Sequence, residues 1–331
     1  MNTISSDIDF VLIWVDGEDP EWQEAYGRYA SLEDKSQNRN GARFRDWGLL
    51  RFWFRSVELY APWVRTIHFV TCGQRPDWLN VNNPKLNYVK HQDFIPKQYL
   101  PTFNSRVIET NLHRIKGLSE QFVYFNDDMF IVSPLKPSVF FVKGLPRDVA
   151  VRGIPMLYQI GHANLNDINI INREFRFDRQ FKKNIWKWLN FRYGLLGLRS
   201  LLFLPLTEFT GAKNYHVANA FLKSTFETVW EKYEDELDKT CHSRFRSISD
   251  VNQWLFKYWQ IVSGSFYPQW INYGITYGIN ETRRLQADLT KQRKKLICLQ
   301  DVEGMSDISQ LKEEVIAIFQ QQFPEKSSFE L

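Results

Sequence analysis

The chain has 331 residues, 44% of them hydrophobic, which excludes intrinsic disorder and suffices to bury one elaborated domain or two closely packed ones. A net charge of +4 is too small to imply nucleic-acid binding, so partners must be argued from local clusters. Three cysteines without CxxC spacing exclude a disulfide framework, no apolar run reaches the length of a membrane span, and the N-terminus lacks a signal peptide's basic region and cleavage site. A reducing, cytoplasmic setting is therefore expected.

Short apolar runs alternate with helical patterns through the first half. "FVLIWV" (10–15), "TIHFVT" (66–71), "LNYVKH" (86–91) and "FVYF" (122–125) read as strands. Between the first two, Leu49, Leu50, Trp53, Val57 and Tyr60 recur at helical spacing and Pro62 supplies a stop. Before the fourth, Ile108, Leu112 and Ile115 share one helical face while Glu109 and His113, one turn apart, share another. This alternation predicts a mostly parallel α/β sheet.

Residues 145–214 lose the alternation and turn aromatic and basic, as an inserted helical subdomain would. Residues 1–144 and 215–331 are then two parts of one core. In the second part Ser249 is placed to cap a helix carrying Val251, Trp254, Leu255, Tyr258 and Trp259, a stripe that reads as core. "KKLICLQD" (294–301) reads as a final strand, followed by a helix with Asp307 and Gln310 spaced as a capping box and Pro324 as its end.

Open α/β sheets bind ligands beyond the carboxyl ends of their strands, and three predicted strands end in acids: Asp16, the pair Asp127 and Asp128, and Asp301. Successive strand residues point to opposite faces, so Asp127 and Asp128 serve one ligand only if the chain bends there. At an effective dielectric of about 20, two such charges ~4 Å apart repel by roughly 4 kcal/mol, which a cation or a proton must offset. Oxygen ligands favour Mg²⁺ or Mn²⁺ over zinc, and no pair among the six histidines has a zinc spacing. Turn-making accounts for each acid taken singly. His216, Arg244 and Arg246 lie in polar stretches where an imidazole and guanidinium groups could face a diphosphate. No P-loop, GxGxxG or GxSxG motif occurs, which counts against the usual kinases, dehydrogenases and hydrolases. The residues point to a metal-assisted α/β enzyme on a phosphorylated or nucleotide ligand.

The same stretches resemble the four conserved blocks of the Stealth family of sugar-phosphate transferases. "IDFVLIWVDGEDPEW" (8–22) is similar to the first block, and "APWVRTIHFVTCGQ", "LPTFNS" and "VYFNDDMF" lie in the second. Tyr215 through "RFRSISDVNQW" resembles the third, and "KLICLQD" with "FPEKSSFE" the fourth. The resemblance implies a Rossmann-like, nucleotide-sugar-transferase fold. It also implies transfer of a sugar 1-phosphate from a nucleotide sugar, often UDP-linked, to a free or lipid-linked glycan. Carried over motif by motif, the active-site positions are Asp9, Glu109, Asp128, His216 and Arg246. Asp127, Asp128 and Asp301 are expected to hold a divalent cation, with Asp16, Arg244 and Arg106 near the substrate. Asn104 and Arg106 stand where smaller residues are usual in the family, and Gln300 stands where an Asn is. Glu109 and His216 both qualify as general base. An ordinary glycosyltransferase releasing UDP, or a non-catalytic glycan-binding protein, are the alternatives. Basic and aromatic residues interleave over 179–206, which suits contact with the inner face of a membrane.

Overall fold

The computed structural model describes residues 7–30, 44–154, 161–302, 304–305 and 307–331. Residues 155–160 of the insert and the first residue of "RFRDWG" lie outside these.

Four strands form the parallel part of the main sheet: β1 (Ile8–Ile13), β2 (Ile67–Thr71), β3 (Leu86–Lys90) and β4 (Gln121–Asn126). They are close to the predicted runs because each is apolar on both faces, as a sheet covered on both sides requires. Phe10, Leu12, Val123 and Phe125 face one core, while Val11, Phe122 and Tyr124 face the other.

The first core is closed by α2 (Leu50–Tyr60) and by elements from the far end of the chain. β5 (Met129–Ile131) belongs to a second sheet of order β10-β11-β5, with β10 (Gly274–Gly278) and β11 (Leu296–Gln300). α11 (Thr282–Lys291) and α12 (Ile308–Gln322) flank it, and Phe319 of α12 packs against Phe130 at 4.8 Å between ring centroids. The N-terminal strands therefore need the C-terminal residues to complete their core.

The second core lies under α4 (Ser105–Asn111), α8 (Lys223–Lys232), α9 (Glu234–Cys241) and α10 (Trp254–Ser263). α10 buries every residue from Trp254 to Val262, as its apolar stripe predicts. It starts at Trp254, however, and the Ser249 hydroxyl meets Ser247 Oγ at 3.1 Å instead of capping it. Asp307 likewise forms no side-chain cap on α12, because its backbone is left-handed at φ 54°. Glu109 and His113 do not share a face. A 3₁₀ turn from Leu112 to Arg114 rewinds the chain, and His113 packs beside Phe226 and Trp230.

Residues 145–214 are not walled off from this core. α5 (Gly161–Glu174) and α6 (Phe177–Lys183) contribute Ile168, Ile171, Phe177 and Phe181 to it, and α7 (Ile185–Trp188) contributes Trp188. A small third sheet joins β6 (Phe141–Val142), β7 (Leu145–Asp148) and β9 (Tyr267–Pro268). β8 (Asn219–Leu222) runs antiparallel to β4 and completes the main sheet, in the order β3-β2-β1-β4-β8. The remaining helices are α1 (Pro20–Ala30), which buries none of its residues, and α3 (His91–Phe94), whose Phe94 joins the second core.

Candidate active site

Strands β1, β2 and β3 are laid down to one side, and β4 falls on the other side of β1. Such a reversal leaves a crevice at the carboxyl ends of the two central strands. Asp16 follows β1 on this edge, and Asp127 and Asp128 follow β4. At these two acids the chain turns out of the main sheet and enters β5 of the second one. This is the bend that two adjacent carboxylates need if both are to reach one ligand.

Two other segments converge on the turn. The antiparallel register that pairs Tyr124 with Asn219 carries the residues before β8 past the end of β4, so His216 Nε2 stands 3.6 Å from Asp128 Oδ2. In the second sheet Cys298 pairs with Met129, so the Cys298 thiol lies 3.2 Å from Asp128 Oδ2, and Leu299 N donates to the Asp128 carbonyl at 2.8 Å. Gly274 lets β10 approach closely, since a Cβ there would sit 3.0 Å from Val217 Cγ1, next to His216.

Helix α4 supplies the third side. Glu109 is buried, facing the Tyr124 hydroxyl at 3.4 Å and accepting from Gln253 N at 3.3 Å, just before α10 begins. Burial opposes charge on His216, but the Asp128 and Glu109 carboxylates outweigh it and raise the imidazole above its ordinary value, with Arg246 pulling the other way. Arg246 is half-buried and donates to Ser105 Oγ at 2.9 Å. Asp128 and His216 thus meet at the turn, and the charges of Glu109 and Arg246 act on the same imidazole.

Residues 43–148 match Stealth protein CR2, conserved region 2, and residues 215–260 match Stealth protein CR3, conserved region 3. Between them these spans hold Glu109, Asp127, Asp128, His216 and Arg246. The capsular polysaccharide phosphotransferase WcwK of Streptococcus pneumoniae is 41% identical over 327 residues, covering 98% of each chain. This chain belongs to the Stealth family. It is also similar to the exopolysaccharide phosphotransferase cps2G of Lactiplantibacillus plantarum, at 39% identity over 98% of this chain and 96% of that one. The receptor polysaccharide phosphotransferase WefC of Streptococcus oralis is 38% identical over 98% and 99%. The crystal structure of galactosyltransferase LgtC with donor and acceptor sugar analogues aligns with 97% of this chain at 9% identity and a TM-score of 0.42, too distant to carry an argument.

Several expected site residues of this Stealth enzyme lie elsewhere or are engaged by other partners. Asp9 is at the opposite end of β1, fully buried, accepting from Arg65, from Ser119 N at 2.8 Å and facing His68 Nε2 at 3.0 Å. Asp301 is on the correct edge, but Arg45 Nη1 reaches its two oxygens at 2.8 and 3.0 Å and Trp47 Nε1 lies at 3.3 Å, so a guanidinium occupies the place of an ion. Arg106 turns away from the crevice and pairs with buried Asp250 at 3.1 Å. Arg244 lies over the Tyr29 ring and donates to the Pro101 carbonyl at 3.0 Å. Asp16 accepts from Glu18 N at 2.9 Å, the turn role that its Asp-Gly context predicts.

Arg106 and Asn104 instead build the support of Arg246. Asn104 Nδ2 donates to the Ser243 carbonyl at 3.0 Å and Asp250 Oδ2 at 2.9 Å, and Arg106 Nη1 donates to the Ser247 carbonyl at 2.9 Å. Two of the three positions expected to depart from the family pattern therefore clamp the loop on which Arg246 is carried. Cys298 and Tyr124 were not singled out from sequence. Cys298 reads there as one more small buried thiol, and only the side-chain alternation of "FVYFN" places Tyr124 on the face opposite Phe125.

The donor set fits a cation in part. Among the described residues, Asp128, His216 and Cys298 offer ligand atoms within 4.8 Å of one another. Burial and the Asp128 charge raise the Cys298 thiol well above its ordinary value, which suits the hydrogen bond it makes to Asp128 Oδ2 at 3.2 Å. Asp128 Oδ1 is buried with no hydrogen-bond partner among the described residues. Asp127 reaches solvent at the rim of the crevice, yet desolvation, then the Asp128 and Asp46 charges, push its carboxyl up to about 8. Two adjacent carboxyls, one with a buried oxygen left without a hydrogen-bond partner, are what a divalent ion relieves.

Proposed function

We propose that this Stealth protein transfers a sugar 1-phosphate from a nucleotide sugar, UDP-linked, to a hydroxyl of an acceptor glycan. The product is a phosphodiester of a capsular or exopolysaccharide, and a nucleoside monophosphate is released. The observation that supports this reading is His216 Nε2 standing 3.6 Å from Asp128 Oδ2 at the strand-end turn, with Glu109 buried on α4 and Arg246 bonded to Ser105 of the same helix. The relatives named as polysaccharide phosphotransferases support the reaction class. On this reading the acceptor is free or lipid-linked and the enzyme works on the cytoplasmic side.

The acceptor oxygen attacks the β-phosphorus of the donor in line, and its bond to the nucleoside monophosphate breaks. His216, half-exposed to the crevice, accepts the hydroxyl proton as base. Glu109 is buried and engaged by Tyr124 and Gln253, so its part is to favour the imidazolium that forms. Arg246 offsets charge on the equatorial oxygens. Asp128, through Oδ1 and beside Asp127, would hold Mg²⁺ or Mn²⁺, whose chemistry is to offset charge on the diphosphate.

Radiolabelled UDP-sugar and an acceptor glycan, incubated with the purified protein, should yield UMP and a phosphodiester product. Asp128→Asn and His216→Ala should each lower turnover by roughly 10²–10⁴-fold. Release of UDP in place of UMP would mean ordinary glycosyl transfer, and unchanged turnover in both variants would move the site elsewhere.

A further inference from the structure

Among the described residues, most of the exposed large hydrophobic side chains lie in and after α7. Phe191–Phe203 is a 3₁₀ segment broken at Gly194, where φ is 53°. A 3₁₀ helix has about three residues per turn, so side chains three apart stack along one edge. Gly197 and Ser200 form the buried edge. Leu195, Leu198, Leu201 and Leu204 form an exposed edge, and Leu202 lies outward on the third. Leu195 is 86% exposed, Leu202 80% and Phe191 71%.

This outward display is held in place. Arg152, buried in the core, donates to the Phe203 carbonyl and, at 2.7 Å, to the Glu208 carbonyl, while its backbone N–H donates to Ser200 Oγ at 3.1 Å. The inner edge is therefore pinned, and the leucines on the outer edges cannot turn inward without breaking these bonds. Two exposed tryptophans continue the surface: Trp270 meets Phe191 at 5.6 Å, and Trp186 meets Tyr267 at 6.1 Å.

Charge says what covers this surface. Residues 176–206 hold seven of the chain's 42 basic residues and one of its 38 acidic residues, so they more than account for the whole +4 excess. Arg199 is exposed within the 3₁₀ segment itself, and Arg179, Lys182 and Lys183 are exposed on α6, which leads into α7. A second copy of this chain would bring the same cations face to face with these, whereas an anionic bilayer accepts both the leucines and the charges. Trp at the junction of apolar and polar surface suits the headgroup layer.

We infer that the 3₁₀ segment and α7 form a docking surface for an anionic phospholipid bilayer, into which Leu195, Leu198, Leu202 and Phe191 insert. The chain runs from Leu206 to His216 over ten residues, at most about 35 Å even if fully extended, so docking brings the crevice close to the lipid surface.

Flotation of the full chain with vesicles tests this. Phosphatidylcholine vesicles containing 30% phosphatidylglycerol should carry the protein, pure phosphatidylcholine vesicles should carry about tenfold less, and raised salt should release it. Leu195→Glu combined with Leu202→Glu should lower binding at least tenfold, as should Lys182→Glu combined with Lys183→Glu. Leu59→Glu, on an exposed leucine of α2, should leave it unchanged. Unchanged donor turnover with a soluble acceptor and an unchanged melting temperature show that each variant is folded. Equal binding to both vesicle types, no binding to either, or patch variants that bind like the parent would overturn the inference. Light scattering that finds a dimer abolished by the leucine substitutions would assign the face to a second copy instead.

Discussion

Asp9 accepts hydrogen bonds from Arg65 and Ser119 and faces His68, which in turn lies 2.9 Å from Asn87 on β3. Burial alone would raise its pKa, but these partners outweigh burial and lower the carboxyl from 3.8 to about 2. A lowered folded-state pKa adds stability that is present above the unfolded value and is lost as pH falls through the folded one. Asp9 therefore contributes about 2 kcal/mol at neutral pH that drains away between pH 3.8 and about 2. Urea unfolding of Asp9→Asn should show at least that loss at pH 7 and a flatter decline below pH 4. A full-stability variant with abolished turnover would return Asp9 to the chemistry. Asp128 has the opposite surroundings, with an unpartnered oxygen and an imidazole at 3.6 Å, which is why its substitution is expected to act on rate.

At the scale of an element, the loop between α9 and α10 holds Arg246 and owes its shape to α4. Asp250 receives Arg106, Asn104 and Ser247 N on one oxygen while fully buried. Removing Arg106 leaves that charge uncompensated, which costs about 3–5 kcal/mol for a buried pair. Arg106→Met should lower the melting temperature and raise the donor KM several-fold, since the guanidinium of Arg246 is no longer held in place. Arg106→Lys should recover part of the stability. A variant with parental KM would show that Arg246 does not depend on this clamp. The strands themselves were legible in the sequence, because an apolar run reports its own burial. Helix starts were less so: Ser249 and Asp307 have the right spacing for caps, but neighbouring side chains and a left-handed backbone decide otherwise.

For the whole molecule, the last residues close the first core. Glu330 pairs with buried Arg55 at 2.7 Å, Phe329 packs on Phe54 at 5.2 Å, and Leu331 N donates to the Trp78 carbonyl at 2.8 Å. Truncation after Pro324 strips the guanidinium of its carboxylate and opens the ring cluster. Calorimetry should show a loss of at least about 3 kcal/mol, and Glu330→Gln should reproduce much of it. A truncated chain as stable as the parent would show that the C-terminus is not part of the cooperative unit.

Local sequence by itself determined the parallel α/β sheet, its acidic strand ends and, through motif resemblance, the family. These are properties of short runs, where side-chain period and turn chemistry act over a few residues. Only the tertiary structure decided which acids meet. Asp128 and Cys298 are 170 positions apart, and Arg45 and Asp301 are 256 apart. No local pattern encodes pairings of that separation. They follow from strand order and register, which carried His216 to Asp128, closed Asp301 with an arginine and left Asp9 at the far edge of the sheet.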